Sequence, residues 1–142
     1  MFQQEINQYL TTHHYARIDL KAVLFDMDGV LFDSMKNHAT AWHEAMKLSK
    51  EEAYLHEGRT GAATINIVSQ RERGYEADEE EIKRIYQTKS DIFNQLPKAD
   101  PMPGAFEVLK KIKADGLTPM VVTGSGQLSL LDKLNHYFPD IF

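Results

Sequence analysis

The sequence predicts an α/β fold: a parallel sheet whose first strand is followed by a purely helical insertion. Three observations carry this. Ala22-Val23-Leu24-Phe25 and Pro119-Met120-Val121-Val122 are short, unbroken apolar runs, the pattern of strands buried on both faces beneath covering helices. The stretch from about residue 34 to residue 99 reads as helix throughout. Each apolar run also ends abruptly in a polar cluster bearing glycine, Asp26-Met27-Asp28-Gly29 and Thr123-Gly124-Ser125-Gly126. Ligands in open parallel sheets bind at the carboxyl ends of the strands, so the matching positions of the two clusters point to a site.

The elements follow in order. Phe2, Ile6, Tyr9 and Leu10 recur at helical spacing, which predicts a short amphipathic helix over residues 2–12. His13-His14-Tyr15 reads as a solvated turn before the first strand. Ser34 offers an N-cap for a helix from Met35 to Met46, with Ala39, Trp42 and Ala45-Met46 facing inward. A second helix follows Gly58-Arg59-Thr60, with Ile65, Val68 and Ile67 on its apolar side. A third starts at Asp78, where Asp78 and Glu81 have capping-box spacing, and carries Ile82, Ile85, Tyr86, Ile92 and Phe93 to Leu96. Glu79-Glu80-Glu81 suits its first turn, where the helix dipole favours negative charge. Pro97 to Pro103 is a linker, and Pro103 fits the first turn of a helix carrying Val108, Leu109 and Ile112. Gly116 caps that helix in the left-handed conformation. Leu128, Leu131, Leu134 and Phe138 make a last helix, stopped by Pro139.

Composition narrows the function. The net charge is −5, so the chain as a whole does not attract nucleic acid or an anionic membrane face. There is no apolar run long enough to span a bilayer and no secretory signal at Met1-Phe2-Gln3-Gln4-Glu5. Cysteine is absent, which removes disulfides and thiolate zinc sites and fits a reducing cytoplasm. An anionic substrate therefore needs a local device, such as a metal ion, a helix N-terminus or a placed Arg or Lys.

Asp26-Met27-Asp28-Gly29 can supply one. Asp-Gly alone is an ordinary turn. Carboxylates two residues apart in an extended chain point to opposite faces, but Gly29 relaxes the geometry and lets both approach one centre. Two such charges repel and call for a cation or a shared proton. Magnesium suits hard carboxylate and carbonyl oxygens plus waters. Asp26 can then attack phosphorus to form an aspartyl-phosphate, while Asp28 serves as acid and base. Thr123-Gly124-Ser125-Gly126 places a hydroxyl and free N–H groups between a strand and a helix, a fit for phosphate.

At this point the chain resembles a known family. Val23-Leu24-Phe25-Asp26-Met27-Asp28-Gly29-Val30-Leu31-Phe32-Asp33-Ser34 resembles the first signature of the haloacid-dehalogenase (HAD) superfamily, and Met120-Val121-Val122-Thr123-Gly124-Ser125 resembles the second. The resemblance implies a Rossmann-like core, residues 1–33 and 100–142, with an α-helical cap at 34–99 as in the β-phosphoglucomutase-like branch. It implies Asp26 as nucleophile, Asp28 as acid/base, and the Asp26 carboxylate and Asp28 carbonyl as Mg²⁺ ligands. Thr123, Gly124 and Ser125 would hold the phosphoryl group. His38 and Ala41-Trp42 match a His and an Ala-Trp pair of that branch and would shape the closed site. Arg59, in the specificity loop Glu57-Gly58-Arg59-Thr60, would pair with a second anionic group on the substrate. The implied enzyme is cytoplasmic and monomeric and acts on a small phosphorylated metabolite, a sugar phosphate.

Two departures qualify this. The family has a later Lys or Arg and later acidic Mg²⁺ ligands, whereas only Gln127 to Phe142 follow the second signature, and Lys133 is no substitute. The 142 residues are therefore expected to form an incomplete core, inactive alone, with Leu131 and Leu134 facing water. Ala45-Met46-Lys47-Leu48-Ser49 also runs straight into Glu51-Glu52-Ala53-Tyr54, where relatives have more residues, often with a Gly, to close the first cap helix. The leading reading is a HAD hydrolase or mutase, with hydrolase ahead because Arg59 is not placed as in β-phosphoglucomutase. A non-catalytic phosphate-binding fragment and a receiver-type signalling domain are the competing classes. The helical insertion and the Asp-x-Asp-Gly pairing argue against the receiver.

Overall fold

A computed structural model describes residues 3–126 and 128–142. The elements run α1 Gln3–His13, β1 Ala22–Phe25, α2 Met35–Met46, α3 Lys50–Leu55, α4 Gly61–Arg73, α5 Glu79–Gln95, α6 Ala105–Ala114, β2 Thr118–Val121, α7 Leu128–Leu131 and α8 Leu134–Tyr137. The strands pair in parallel, with Ala22 opposite Thr118 and Phe25 opposite Val121. Their carboxyl ends therefore lie side by side. The ladder continues one step further through the Val122 N–H, which donates to the Phe25 carbonyl at 2.8 Å.

Local chemistry explains most boundaries. Asp78 caps α5 by accepting the Glu81 N–H at 2.8 Å, and Gly116, at φ +77, lies two residues beyond the end of α6. α3 was not expected. Ser49 caps it by accepting the Glu52 N–H at 3.1 Å. Lys47 closes α2 in the left-handed conformation at φ 59, doing without the glycine that usually ends such a helix.

Several expectations need correction. Ser34 precedes α2 but makes no side-chain cap bond; its hydroxyl is drawn to Asp28 instead. Pro103 lies before α6, whose N-cap is Gly104. The last helix breaks into α7 and α8. Phe2 and the side chain of Leu128 lie outside the described residues. Ile67 and Val108 are exposed, and α1 forms but buries no residue. The strands are covered on one face only: Leu24 is 63%, Met120 48% and Val122 53% exposed. By contrast, Leu131 and Leu134, expected in water, pack against the main core. Apolar residues turn toward whatever surface is present to bury them.

Two apolar clusters organise the chain. One joins Met27, Leu31 and Phe32 to Leu109, Leu130 and Phe138, and takes in Ala41 and Phe93 from the helical stretch. The other is formed by Ala39, Trp42, Leu48, Ala53, Ile65, Val68 and Ala77. α2 serves both clusters from successive positions. Where the chain enters and leaves the helical stretch, the two passages are bonded together. Asp33 N–H donates to the Asp100 carbonyl at 2.9 Å, and Met102 N–H to the Leu31 carbonyl at 2.9 Å.

Candidate active site

Asp26 is the first residue beyond β1, and Thr123 the second beyond β2. The Gly29 turn sits between Asp28 and α2. Gly29 has φ +73, its N–H donates to the Phe32 carbonyl at 2.8 Å, and the Leu31 and Phe32 N–H groups fold back onto the Met27 carbonyl at 3.0 Å. This positive φ is what glycine supplies cheaply. It directs the chain from β1 into α2 and lets both carboxylates line one cavity.

That cavity, about 50 Å³, is lined by Asp26, Asp28, His38, Trp42, Arg59, Thr123, Gly124 and Ser125. All the candidate site residues thus meet at one place. The helical segments roof it. Lys133 is not among its lining residues.

The two aspartates are treated differently. Asp26 is exposed, and its Oδ1 accepts the Met27 N–H at 2.7 Å. Asp28 is 8% exposed at its side chain and is held by the helical segment. Its Oδ1 accepts from the Ser34 hydroxyl at 2.5 Å and from His38 Nε2 at 2.7 Å. Burial pushes the Asp28 carboxyl up, but the interaction with His38 and hydrogen bonds from Ser34 and Ser125 outweigh it, leaving the group below the usual carboxylate range.

Behind His38 stands a residue that the sequence reading missed. Lys89 of α5 is 2% exposed, and its Nζ lies 2.8 Å from His38 Nδ1. An ammonium only donates, so Nδ1 accepts and the imidazole proton sits on Nε2, facing Asp28. Burial also lowers the His38 pKa, with the nearby Lys89 charge adding to the effect. The neutral ring therefore relays Lys89 to Asp28. Burial brings the Lys89 pKa down from 10.5 to about 8, against the pull of Asp28 and Glu57. Its ammonium also lies over Trp42, Tyr86 and Phe93, 5.1–5.6 Å from the ring centroids. The signal was present in the sequence: Lys89 falls on the Ile82, Ile85, Tyr86, Ile92, Phe93 stripe, where a cation has no place unless something holds it.

His56, Glu57 and Tyr86 also line the cavity and were not singled out as site residues. Burial, then the charges of Asp28 and Asp26, raise the Glu57 pKa. Arg59 is exposed, and its guanidinium has no hydrogen bond or ion pair among those described.

Lys89→Met is expected to change how stability depends on pH. The folded protein releases the Lys89 proton near pH 8, the unfolded chain near 10.5. Between these values the unfolded state binds more protons, so stability rises with pH there. Below pH 8 the ammonium costs roughly 3 kcal/mol. Lys89→Met should therefore be as stable as the parent or more so at pH 7, and should lose the rise in stability from pH 8 to 10.5. Urea unfolding at pH 7 and 10 measures this, and a pH-independent parent would contradict it.

Magnesium is tested by the donor set. Among the described residues no three His, Asp or Glu side chains converge as a metal cage. Mg²⁺ needs none, since it is commonly held by one or two carboxylates, waters and substrate phosphate oxygens. The open Asp26 carboxylate fits that role, whereas the Asp28 carboxylate is already engaged.

A parallel α/β core with acidic and hydroxyl-bearing loops at adjacent strand ends, roofed by a helical insertion, is the Rossmann-like architecture of the HAD class. The chain belongs to the haloacid dehalogenase-like hydrolase family, whose profile matches residues 20–142. Among solved structures it is similar to a provisionally named beta-phosphoglucomutase from Bacteroides vulgatus, at 70% identity and TM-score 0.89, covering 99% of this chain and 59% of that one. It shares its fold with a hydrolase from Pseudomonas syringae, at 23% identity and TM-score 0.71 over 86% of this chain and 57% of that one. The same holds for a variant of CbbY from Rhodobacter sphaeroides solved with xylulose-1,5-bisphosphate, at 22% identity and TM-score 0.66 over 87% and 61%. The chain thus spans about three fifths of the length of these structures. A comparison with curated proteins gives no match. No helix among the described residues is long and apolar enough to cross a membrane.

Proposed function

We propose that the intact protein transfers the phosphoryl group of a small phosphorylated metabolite, a sugar phosphate, through an aspartyl-phosphate at Asp26, with residues 34–99 as the cap. The observation that carries this is the shared cavity. It sets the open Asp26 carboxylate against the Thr123–Ser125 loop, with Asp28 anchored beside them. An Asp26 carboxylate oxygen attacks phosphorus as the bond from phosphorus to the leaving oxygen breaks. Asp28 gives that oxygen a proton, then takes one from the water or alcohol that attacks the phosphoenzyme. Asp28 rests ionised, and a phosphate dianion bound at Asp26 would raise its proton affinity and load it as the acid. Thr123, Gly124 and Ser125 hold the phosphoryl oxygens. His38 fixes the direction of Asp28, Trp42 lies beneath the Lys89 ammonium that meets His38, and Arg59 meets a second anionic group. The Asp26 carboxylate and the Asp28 carbonyl would hold Mg²⁺, which offsets negative charge on the phosphoryl group.

Hydrolysis leads, because Arg59 of Gly58-Arg59-Thr60 is not placed as expected for a β-phosphoglucomutase. The likeness to the Bacteroides vulgatus protein favours a second reading, an isomerase of β-phosphoglucomutase type. The absence of cysteine fits a reducing cytoplasm, and the net charge of −5 does not favour nucleic acid or an anionic membrane face as partner. The test is to follow the intact protein with β-glucose 1-phosphate. Release of inorganic phosphate marks the hydrolase, and glucose 6-phosphate marks the mutase. Activity should need Mg²⁺ and vanish in EDTA. Turnover undiminished by chelator would refute the metal requirement.

A further inference from the structure

Tyr86 stands where two cavities meet. On one side is the chamber of about 50 Å³ containing Asp26 and Asp28. On the other is a crevice of about 540 Å³ between α4, α5 and the loop after β2. Tyr86, Gly61 and Gly124 line both. The chamber is about a tenth the size of the crevice. Most of the open space for the non-reacting part of a larger substrate thus lies on the far side of the Tyr86 ring.

The sequence clears space for that ring at two glycines. A Cβ at Gly61 would lie 2.1 Å from the Tyr86 ring, and one at Gly126 would lie 2.8 Å from its hydroxyl. Neither glycine has a positive φ, so clearance and not backbone conformation is what glycine provides there. The Tyr86 hydroxyl accepts the Gly126 N–H at 3.0 Å. This ties α5 to the end of the Thr123–Gly126 loop.

We propose that Tyr86 is a specificity-determining partition. Its ring separates the reaction chamber from the crevice that takes the rest of the substrate, and its hydroxyl fixes the loop that cradles the phosphoryl group. The crevice offers the Lys83 ammonium and the Gln87 amide beside apolar Ile82 and Ala62, a mixture suited to a polyhydroxylated ring. The proposal rests on the phosphotransferase reading above.

The test compares the intact parent protein with Tyr86→Phe and Tyr86→Ala, using acetyl phosphate as a small substrate and glucose 1-phosphate as a large one. Hydrogen exchange at the Gly126 amide is followed alongside. Tyr86→Ala is expected to change the ratio of the two kcat/KM values by about tenfold or more. Tyr86→Phe keeps the ring and should leave that ratio near the parent's, but should speed exchange at Gly126. An unchanged ratio in Tyr86→Ala overturns the partition. Unchanged exchange in Tyr86→Phe overturns the loop contact. A parent protein that turns over neither compound overturns the phosphotransferase reading and the partition with it, while Gly126 exchange still judges the contact.

Discussion

Asp26→Asn in the intact protein is expected to abolish turnover of phosphomonoesters, by a factor on the order of 10⁴ or more as for other covalent nucleophiles. An amide oxygen is too weak a nucleophile to attack phosphorus. The variant should fold normally. Asp26 is exposed, and its one described hydrogen bond, accepted from Met27 N–H, can be made by an asparagine oxygen as well. An unchanged thermal melt with activity lost is the expected pair of results. Near-normal activity would eliminate the covalent mechanism, whatever the substrate.

Asp28→Asn should cost about 10² to 10⁴ in kcat, the range for removing a general acid–base group. Asp28→Ala should cost at least as much, but the two should differ in stability. Alanine leaves the Ser34 hydroxyl and the His38 Nε2–H without the acceptor they share, which costs about 1–3 kcal/mol for each buried group left unpaired. Asparagine retains an acceptor oxygen and should lose less. The pH dependence has a definite sign. The folded Asp28 carboxyl titrates below its ordinary value, so the stability it contributes is present above that value and fades as pH falls through the folded pKa. Asp28→Asn should remove this share of acid sensitivity. Equal activity in parent and Asp28→Asn would remove Asp28 from the chemistry. Equal stability of the Ala and Asn variants would show its hydrogen bonds to be energetically idle.

How much of this could be read from the chain depends on distance along it. β1, α2 and α5 lie where apolar runs and spacing put them, because a strand or helix is set largely by neighbours within a few residues. The cap at Asp78 and Glu81 is such a contact, and so is the left-handed Gly116. The same locality made Asp26, Asp28 and Thr123–Ser125 visible as strand-end clusters. α3 was missed because Lys47, in a conformation usually given to glycine, closes α2 with no composition signal. Ser34 holds the N-cap position of α2 as expected, but its hydroxyl serves Asp28 instead of the helix, because only the Gly29 turn brings Asp28 within its reach.

The sequence by itself determined that there is an acidic strand end, a hydroxyl-rich strand end and a helical stretch between them. The tertiary structure alone decided what each faces. Lys89 reaches His38 across 51 residues, and Tyr86 reaches Gly126 across 40. Periodicity marks Lys89 and Tyr86 as inward-facing but is silent on what lies opposite. The exposed Leu24, Met120 and Val122 show the converse. An apolar run declares that a strand can be covered on both faces, whereas the cover itself must come from distant chain. A hydrogen bond or a packed contact needs two groups at one point in space, and for residues far apart in sequence only the folded chain supplies that coincidence.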